Sequence, residues 1–292
     1  MALPKTILVT GATGKQGSAV AQALLRRGQR VRALTRHPEA AGALAAAGAE
    51  IARGDFDDRA SLEAAMRGCQ GVFAMSTPFE AGMGAEVRQG LQLALAAKIA
   101  DVRHFVYASA AGAERHSGVP HFETKRRVER RVQELALPWT ILRPVWFMEN
   151  FGTWLLPGIR MGSLAAPLWP QTVMHMVCLR DIGEFAAMAF LDPERFLNRE
   201  ITLAGDALTF PQVAEMLSKA MGHSVYFRHI PDSGAEKAVG PDMALMYRWI
   251  NQVGQDVDIH ALEQTYGLRM TRFSEVLANE AWAQPPLVGG RS

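Results

Sequence analysis

Six short apolar runs recur through the first half of the chain: TILVT (6–10), VRALTR (31–36), EIARGD (50–55), GVFAMST (71–77), HFVYASA (104–110) and WTILRPV (139–145). Between them lie segments of helical character at 16–27, in the alanine-rich stretch to 47, and at about 60–67, 85–99 and 121–136. Short runs bounded by turn residues read as strands. Strands separated by helices return to the sheet by crossovers, so they pair in parallel and the helices cover both faces. The expected fold is α/β, a doubly wound parallel sheet.

The first turn is the most informative. TGATGKQG places Gly11, Gly14 and Gly17 directly between the first strand and a helix that Gly28 closes. At such a junction the first glycine permits the tight turn and the second lets the backbone approach a pyrophosphate. The third lets helix and strand pack closely, and the helix N-terminus presents free N–H groups to the anion. Thr13, Lys15 and Gln16 lie in the same loop. This reads as a Rossmann-like nucleotide-binding turn, with an empty structural turn as the plain alternative.

The second strand ends in Thr35-Arg36-His37. A site specific for NAD usually carries an acidic residue there to accept from the ribose 2′-hydroxyl, whereas a guanidinium pairs with a 2′-phosphate. Arg36, with Lys15 as a second positive group, favours NADP(H); a solvated strand-end arginine is the plain alternative. Asp55 and Phe56 end the third strand and would flank the adenine, or serve only as a cap and a packed ring. Ser76, Thr77 and Pro78 end the fourth strand, at the carboxyl edge where open α/β sheets bind ligands.

Composition narrows the class. The 292 residues are 49% hydrophobic and carry 31 Lys+Arg against 29 Asp+Glu, a formal charge of +2. That balance excludes a disordered chain and speaks against a dedicated nucleic-acid binder. With no apolar run of about 18 residues and no signal-peptide layout in MALPKTILVTGATG, the expectation is a cytoplasmic protein without a membrane partner. Cys69 and Cys178 have no disulfide or metal spacing, the eight histidines are dispersed, and no metal site is expected. No GxSxG elbow is present, which speaks against nucleophilic hydrolysis.

Beyond Val145 the rhythm breaks. Trp146, Trp154 and Trp169 with Pro144, Pro157, Pro167 and Pro170 punctuate a stretch without clear period, expected to form loops or irregular elements over a pocket. Helices are expected at 180–191, 210–221 and 273–283, and a strand at 200–205 that returns to the first domain. The expected division is a cofactor domain at 1–155 and a smaller C-terminal α+β lobe at 156–292 for substrate or partner. Trp146, Phe147, Phe151 and Trp154 read equally as an aromatic wall or as core. Met243, Met246 and Tyr247 read as core more readily than as a flap.

Taken together, TGATGKQG, VRALTRHP, GAEIARGDFDD, HFETK, WTILRPVWFMENF, Asp181-Ile182-Gly183 and FSEVL resemble the NmrA-like branch of the short-chain dehydrogenase/reductase superfamily over nearly the whole chain. The branch includes NADPH-sensing proteins and NADPH-dependent quinone and triphenylmethane reductases. The resemblance implies NADP(H) as cofactor, with Pro144, Phe147 and Asn150 facing the nicotinamide and Ser109 in the place of the substrate-polarising serine. It also implies a Tyr-x-x-x-Lys pair, whose lysine holds the nicotinamide ribose while the phenol moves the proton.

Here that segment is His121-Phe122-Glu123-Thr124-Lys125. The lysine is present and the tyrosine is not. Lys125 is therefore the expected ribose ligand, with a plain surface lysine as the alternative. His121 is either a proton donor, a role open to imidazole because the unperturbed ring titrates near about 6.5, or an ordinary helix-start residue. Tyr107, on the same face of its strand as Ser109, reads as core or pocket wall before replacement acid. The run KRRVERRV (125–132) reads as a solvated helix face, with Glu123 four residues before Arg127.

Two functions fit. One is a reductase that passes hydride from NADPH to an electron-poor small molecule, such as a quinone or conjugated cation, for which acid catalysis matters little. The other is a redox sensor that binds NADP(H) without turnover and regulates a protein partner. Whether the chain acts as a monomer or a homodimer is left open.

Overall fold

The computed structural model describes residues 5–284. The outermost residues of the two expected domains, 1–4 and 285–292, lie outside that range.

In chain order the first elements are β1 (Thr6–Val9), α1 (Lys15–Arg26), β2 (Arg30–Thr35), α2 (Gly42–Ala46), β3 (Glu50–Arg53), α3 (Arg59–Met66) and β4 (Gly71–Ala74). They are followed by α4 (Pro78–Ala81), α5 (Met83–Ile99), β5 (His104–Ala108), α6 (Pro120–Glu134) and β6 (Trp139–Pro144). Next come β7 (Trp146–Phe147), α7 (Leu156–Arg160), β8 (Ser163–Ala166), β9 (Val173–Val177), α8 (Leu179–Leu191), α9 (Pro193–Phe196) and β10 (Arg199–Leu203). The remainder comprises β11 (Asp206–Thr209), α10 (Phe210–Met221), β12 (Tyr226–His229), α11 (Asp232–Val239), α12 (Pro241–Val253), α13 (Ile259–Tyr266) and α14 (Phe273–Asn279).

The chain divides into two compact units. The first runs to Pro144 and resumes over Leu179–Leu203; the second comprises Val145–Cys178 and the chain from Ala204 on. In the first unit seven strands form one sheet in the order β10-β6-β5-β4-β1-β2-β3, every pair parallel. This is the doubly wound α/β arrangement that the alternation of apolar runs and helices predicts. Ile7, Leu8, Val9, Phe73, Phe105, Val106, Ile141 and Leu142 are all fully buried, because helices on both faces leave a parallel strand no solvent side. The strand expected at 200–205 forms as β10, and Ile201 pairs with Leu142 of β6.

Close approach fixes two glycines of this unit. A Cβ at Gly17 would lie 2.2 Å from the Gly11 carbonyl oxygen, and one at Gly183 of α8 would lie 2.5 Å from the carbonyl oxygen of Ala19 on α1. Both obstacles are backbone, so neither can swing aside.

The second unit carries a three-stranded sheet, β11-β9-β7, and a two-stranded parallel pair, β12-β8. Its core centres on rings: Phe151 stands 4.7 Å from Trp146, 4.9 Å from Phe273 and 5.6 Å from Phe210. The stretch expected to form loops or irregular elements holds β7, α7, β8 and β9, and the polar, Met-rich segment after Gly222 holds β12, α11, α12 and α13. The strands and α7, of two to five residues, are too short to print a period on the sequence.

Candidate functional site

In an all-parallel sheet every strand ends at the same edge, so segments far apart in sequence meet there. Residues 11–17 follow β1, Arg36 follows β2, Asp55 and Phe56 follow β3, Ser76, Thr77 and Pro78 follow β4, Ser109 follows β5 and Pro144 ends β6. The first unit therefore gathers all of these candidates at one edge. Phe147 and Asn150 belong to the second unit, at the end of β7 and in a short 3-10 turn over Met148–Asn150.

The glycine turn is built as a cradle. Gly11 has φ 60°, a left-handed conformation, and a Cβ there would meet the Met75 Sδ at 2.6 Å. Gly14 caps α1 with extended backbone and no side-chain hydrogen bond, and no acidic residue occupies the first turn. The helix N-terminus is thus open to an anion. Gln16 is 9% exposed, and its amide Nε2 is buried without a hydrogen-bond partner. Thr13 and Lys15 are exposed beside it. Close backbone, free N–H groups and an orphaned amide donor fit a phosphate-bearing ligand.

At the end of β2, the Arg36 Nη2 lies 2.7 Å from the Glu80 Oε2, and both side chains are more than half exposed. Glu80 sits on the four-residue α4, whose N-cap Thr77 accepts from the Phe79 N–H at 3.3 Å. Asp55 Oδ1 accepts from the Asp57 N–H, and Asp57 in turn accepts from Arg88 and Gln89. Those two donors hold the Asp57 carboxyl below its ordinary pKa. Phe56 is half-buried and packs against the core.

Lys125 is not a surface lysine. It is buried, and its ammonium donates to the carbonyl oxygens of Ser76 at 2.6 Å and Ala108 at 3.2 Å while the Glu86 Oε1 stands 3.1 Å away. Two carbonyls thus accept from the ammonium, and a carboxylate stands beside it to meet its charge. Burial lowers its pKa, and the Glu86 carboxylate opposes that shift. Glu86 is fully buried on the first turn of α5 and also accepts from the Thr124 hydroxyl.

The Lys125 ammonium lies 5.4 Å from the centre of the Tyr107 ring, and the Tyr107 hydroxyl is 3.5 Å from that of Ser76. Tyr107 has no exposed surface, and burial raises its pKa well above the ordinary value, so its phenol stays protonated in the core. His121 stands half-buried in the first turn of α6, its ring 4.4 Å from that of Phe122. Ser109 is buried, with its amide bonded to Leu142.

The basic run is not a simple solvated face. Arg127 and Arg130 are exposed, but Lys125, Val128, Glu129 and Val132 turn inward. Glu129 receives Arg143 Nε at 2.8 Å and Nη2 at 2.7 Å, and Arg126 at 2.9 Å. Arg143 also reaches Glu200 at 2.7 Å and Glu114 at 3.6 Å. Sequence reasoning missed both buried ion pairs. The available signals were a charge inside the strand run WTILRPV and Glu86 on the same helical stripe as Gly90, Leu93 and Ala97. Glu123 accepts from the Gly118 N–H at 3.1 Å.

Of the four aromatics weighed as a substrate wall, Trp146 and Phe151 are buried core and Trp154 is half exposed. Met246 and Tyr247 are buried as well. Among the described residues no group of His, Cys, Asp and Glu could hold a metal ion, and no helix is long and apolar enough to cross a membrane.

A parallel doubly wound sheet with a glycine turn between its first strand and first helix places the protein in the Rossmann-like class of α/β folds. The sequence profile of the NmrA-like family matches residues 4–282, and the chain belongs to that family. It is 32% identical over 236 residues to a (4-alkanoyl-5-oxo-2,5-dihydrofuran-3-yl)methyl phosphate reductase of Streptomyces griseus, covering 80% of each chain. It is 31% identical over 233 residues to an NAD(P)H azoreductase of Xenophilus azovorans, again covering 80% of each. Among solved structures, the triphenylmethane reductase of Citrobacter sp. complexed with NADP(H) superposes with a TM-score of 0.81 at 23% identity, over 94% of this chain and 100% of that one. That likeness is one of fold.

Proposed function

We propose that the chain binds NADP(H) at the carboxyl edge of the seven-stranded sheet and reduces an electron-poor small molecule. The observation that carries the cofactor assignment is the 11–17 turn, where a side chain at position 17 would strike the Gly11 carbonyl and the Gln16 amide lacks a partner. Gly11, Gly14 and Gly17 would let the backbone approach the pyrophosphate, with Thr13, Lys15 and Gln16 around it. Arg36 would leave Glu80 for the 2′-phosphate, which a guanidinium grips with charge-assisted hydrogen bonds. Asp55 and Phe56 would border the adenine, and Ser76, Thr77 and Pro78 the nicotinamide half.

The cofactor supplies a hydride when bound. What this chain lacks is the tyrosine of the usual pair: position 121 is histidine, and Tyr107 is sealed in the core. An acceptor whose reduction is driven by its own electron deficiency suits such a site, because the balancing proton can come from water after hydride transfer. The reductases of azo and furanone substrates among the relatives support the same class.

The test is to incubate the purified protein with NADPH and a panel of quinones, azo and triphenylmethane dyes and activated alkenes, following loss of the reduced nicotinamide. Oxidation above background with at least one acceptor is expected. Tight NADPH binding with no oxidation would replace this reading by the sensor, which binds the cofactor and regulates a partner. Absence of NADPH binding would remove both.

A further inference from the structure

We infer that Glu86 is a positioning residue of the cofactor site, acting through Lys125 to fix the carboxyl ends of β4 and β5. The inference rests on the cofactor reading above. Its basis is an arrangement that a structural ion pair alone does not require. The Lys125 ammonium ties together the main-chain carbonyls of Ser76, just past β4, and Ala108, the last residue of β5. These are neighbouring parallel strands, with Phe73 paired to Val106 and Ala74 to Tyr107. Glu86 closes the third side at 3.1 Å and has no exposed surface. The Thr124 hydroxyl, donating to its other oxygen, fixes the carboxylate from the residue next to Lys125.

A dinucleotide on such a sheet lies with its adenosine half over the strands beyond β1 toward β3 and its nicotinamide half over those on the other side. The strut therefore stands under the nicotinamide half only. Donating to Ser76 and Ala108 and with its charge met by Glu86, the ammonium serves that half by holding the strand ends in place. A carboxylate is needed because an ammonium out of water with neutral carbonyls alone is an uncompensated buried charge.

The experiment compares two ligands on three variants. NADPH carries both halves; adenosine 2′,5′-bisphosphate carries only the adenosine half. Dissociation constants for both are measured on the full chain and on Glu86→Gln, Lys125→Met and the double variant. Each single variant is expected to weaken NADPH by about fivefold or more and to leave the bisphosphate within about twofold, with the double variant no weaker than Lys125→Met because both act through one group. Equal weakening of both ligands, an unchanged NADPH constant in Glu86→Gln, or losses that multiply in the double variant would each overturn the assignment. Should Lys125→Met fail to fold, the two-ligand comparison on Glu86→Gln decides by itself. If the unsubstituted chain binds neither ligand, the cofactor reading falls and this inference with it.

Discussion

Arg143 meets Glu129 with two parallel hydrogen bonds, 2.8 and 2.7 Å long, between a strand and a helix that both bury them. Burial alone would raise the Glu129 pKa, but the hydrogen bonds and charge of Arg143 outweigh it and hold the carboxyl below 4.5. A carboxyl depressed in this way stabilises the fold above its unfolded pKa, and the contribution is lost as pH falls through the folded value. Unfolding midpoints should therefore drop in acid below about pH 4.5. Glu129→Leu should cost about 3–5 kcal/mol at neutral pH, since it strands a buried guanidinium. Urea titrations of both proteins check this; a loss within about 0.5 kcal/mol, the range of ordinary surface substitutions, would show that Glu200 and Glu114 suffice for Arg143.

His104 gives a second and separate pH window. It is buried at the start of β5, with Nε2 2.8 Å from the Thr140 hydroxyl, which itself donates to the Phe196 carbonyl. That hydroxyl must then accept from a neutral imidazole. Burial, reinforced by the charge of Lys5, lowers the His104 pKa from 6.5 to about 4. The unfolded chain takes up the proton first, so the contribution is full above pH 6.5, drains as pH falls and is gone below about 4. The difference corresponds to about 3 kcal/mol. His104→Gln should flatten stability between those pH values, and an NMR titration of His104 should find its midpoint far below that of an exposed histidine.

These two groups mark what the sequence could disclose and what it could not. Alternation of apolar runs with helical segments is a local signal, and it located the six strands through WTILRPV and the crossover helices. The glycine turn was legible because its spacing states a steric need, now visible in the 2.2 Å between a Cβ at Gly17 and the Gly11 oxygen. Pairing of buried charges leaves no such trace. Lys125 and Glu86, or Arg143 and Glu129, sit on different elements, and only the folded sheet and helices bring each pair together. The second unit was hardest to read, because its strands are mostly two to five residues long and its core is assembled from rings scattered between Trp146 and Phe273.

If Arg36 grips the 2′-phosphate as proposed, its pairing with Glu80 makes cofactor preference adjustable from two sides. Arg36→Glu should weaken NADPH by about ten- to a hundredfold, the equivalent of the 1.5–3 kcal/mol of a hydrogen bond to a charged group, and leave NADH nearly unchanged. Glu80→Gln removes an exposed competitor for the same guanidinium. An exposed pair is worth about 0–1 kcal/mol, so the gain in NADPH affinity should not exceed about fivefold. Calorimetric titration with the two cofactors checks both. Equal NADPH affinity in Arg36→Glu would place the 2′-phosphate elsewhere.

Under the proposed reduction, Tyr107 and His121 are the two side chains that bear on how an acceptor would obtain its proton. The Tyr107 phenol is enclosed, protonated and 3.5 Å from the Ser76 hydroxyl, so Tyr107→Phe should leave acceptor-dependent NADPH oxidation within about threefold; losing a general acid costs about 10²–10⁴. His121 stands half-buried on the first turn of α6, four residues before Lys125, with its ring against Phe122. If water supplies the proton, His121→Asn should also stay within about threefold. A hundredfold loss in His121→Asn with NADPH binding unchanged would make the imidazole the acid that replaces the missing tyrosine.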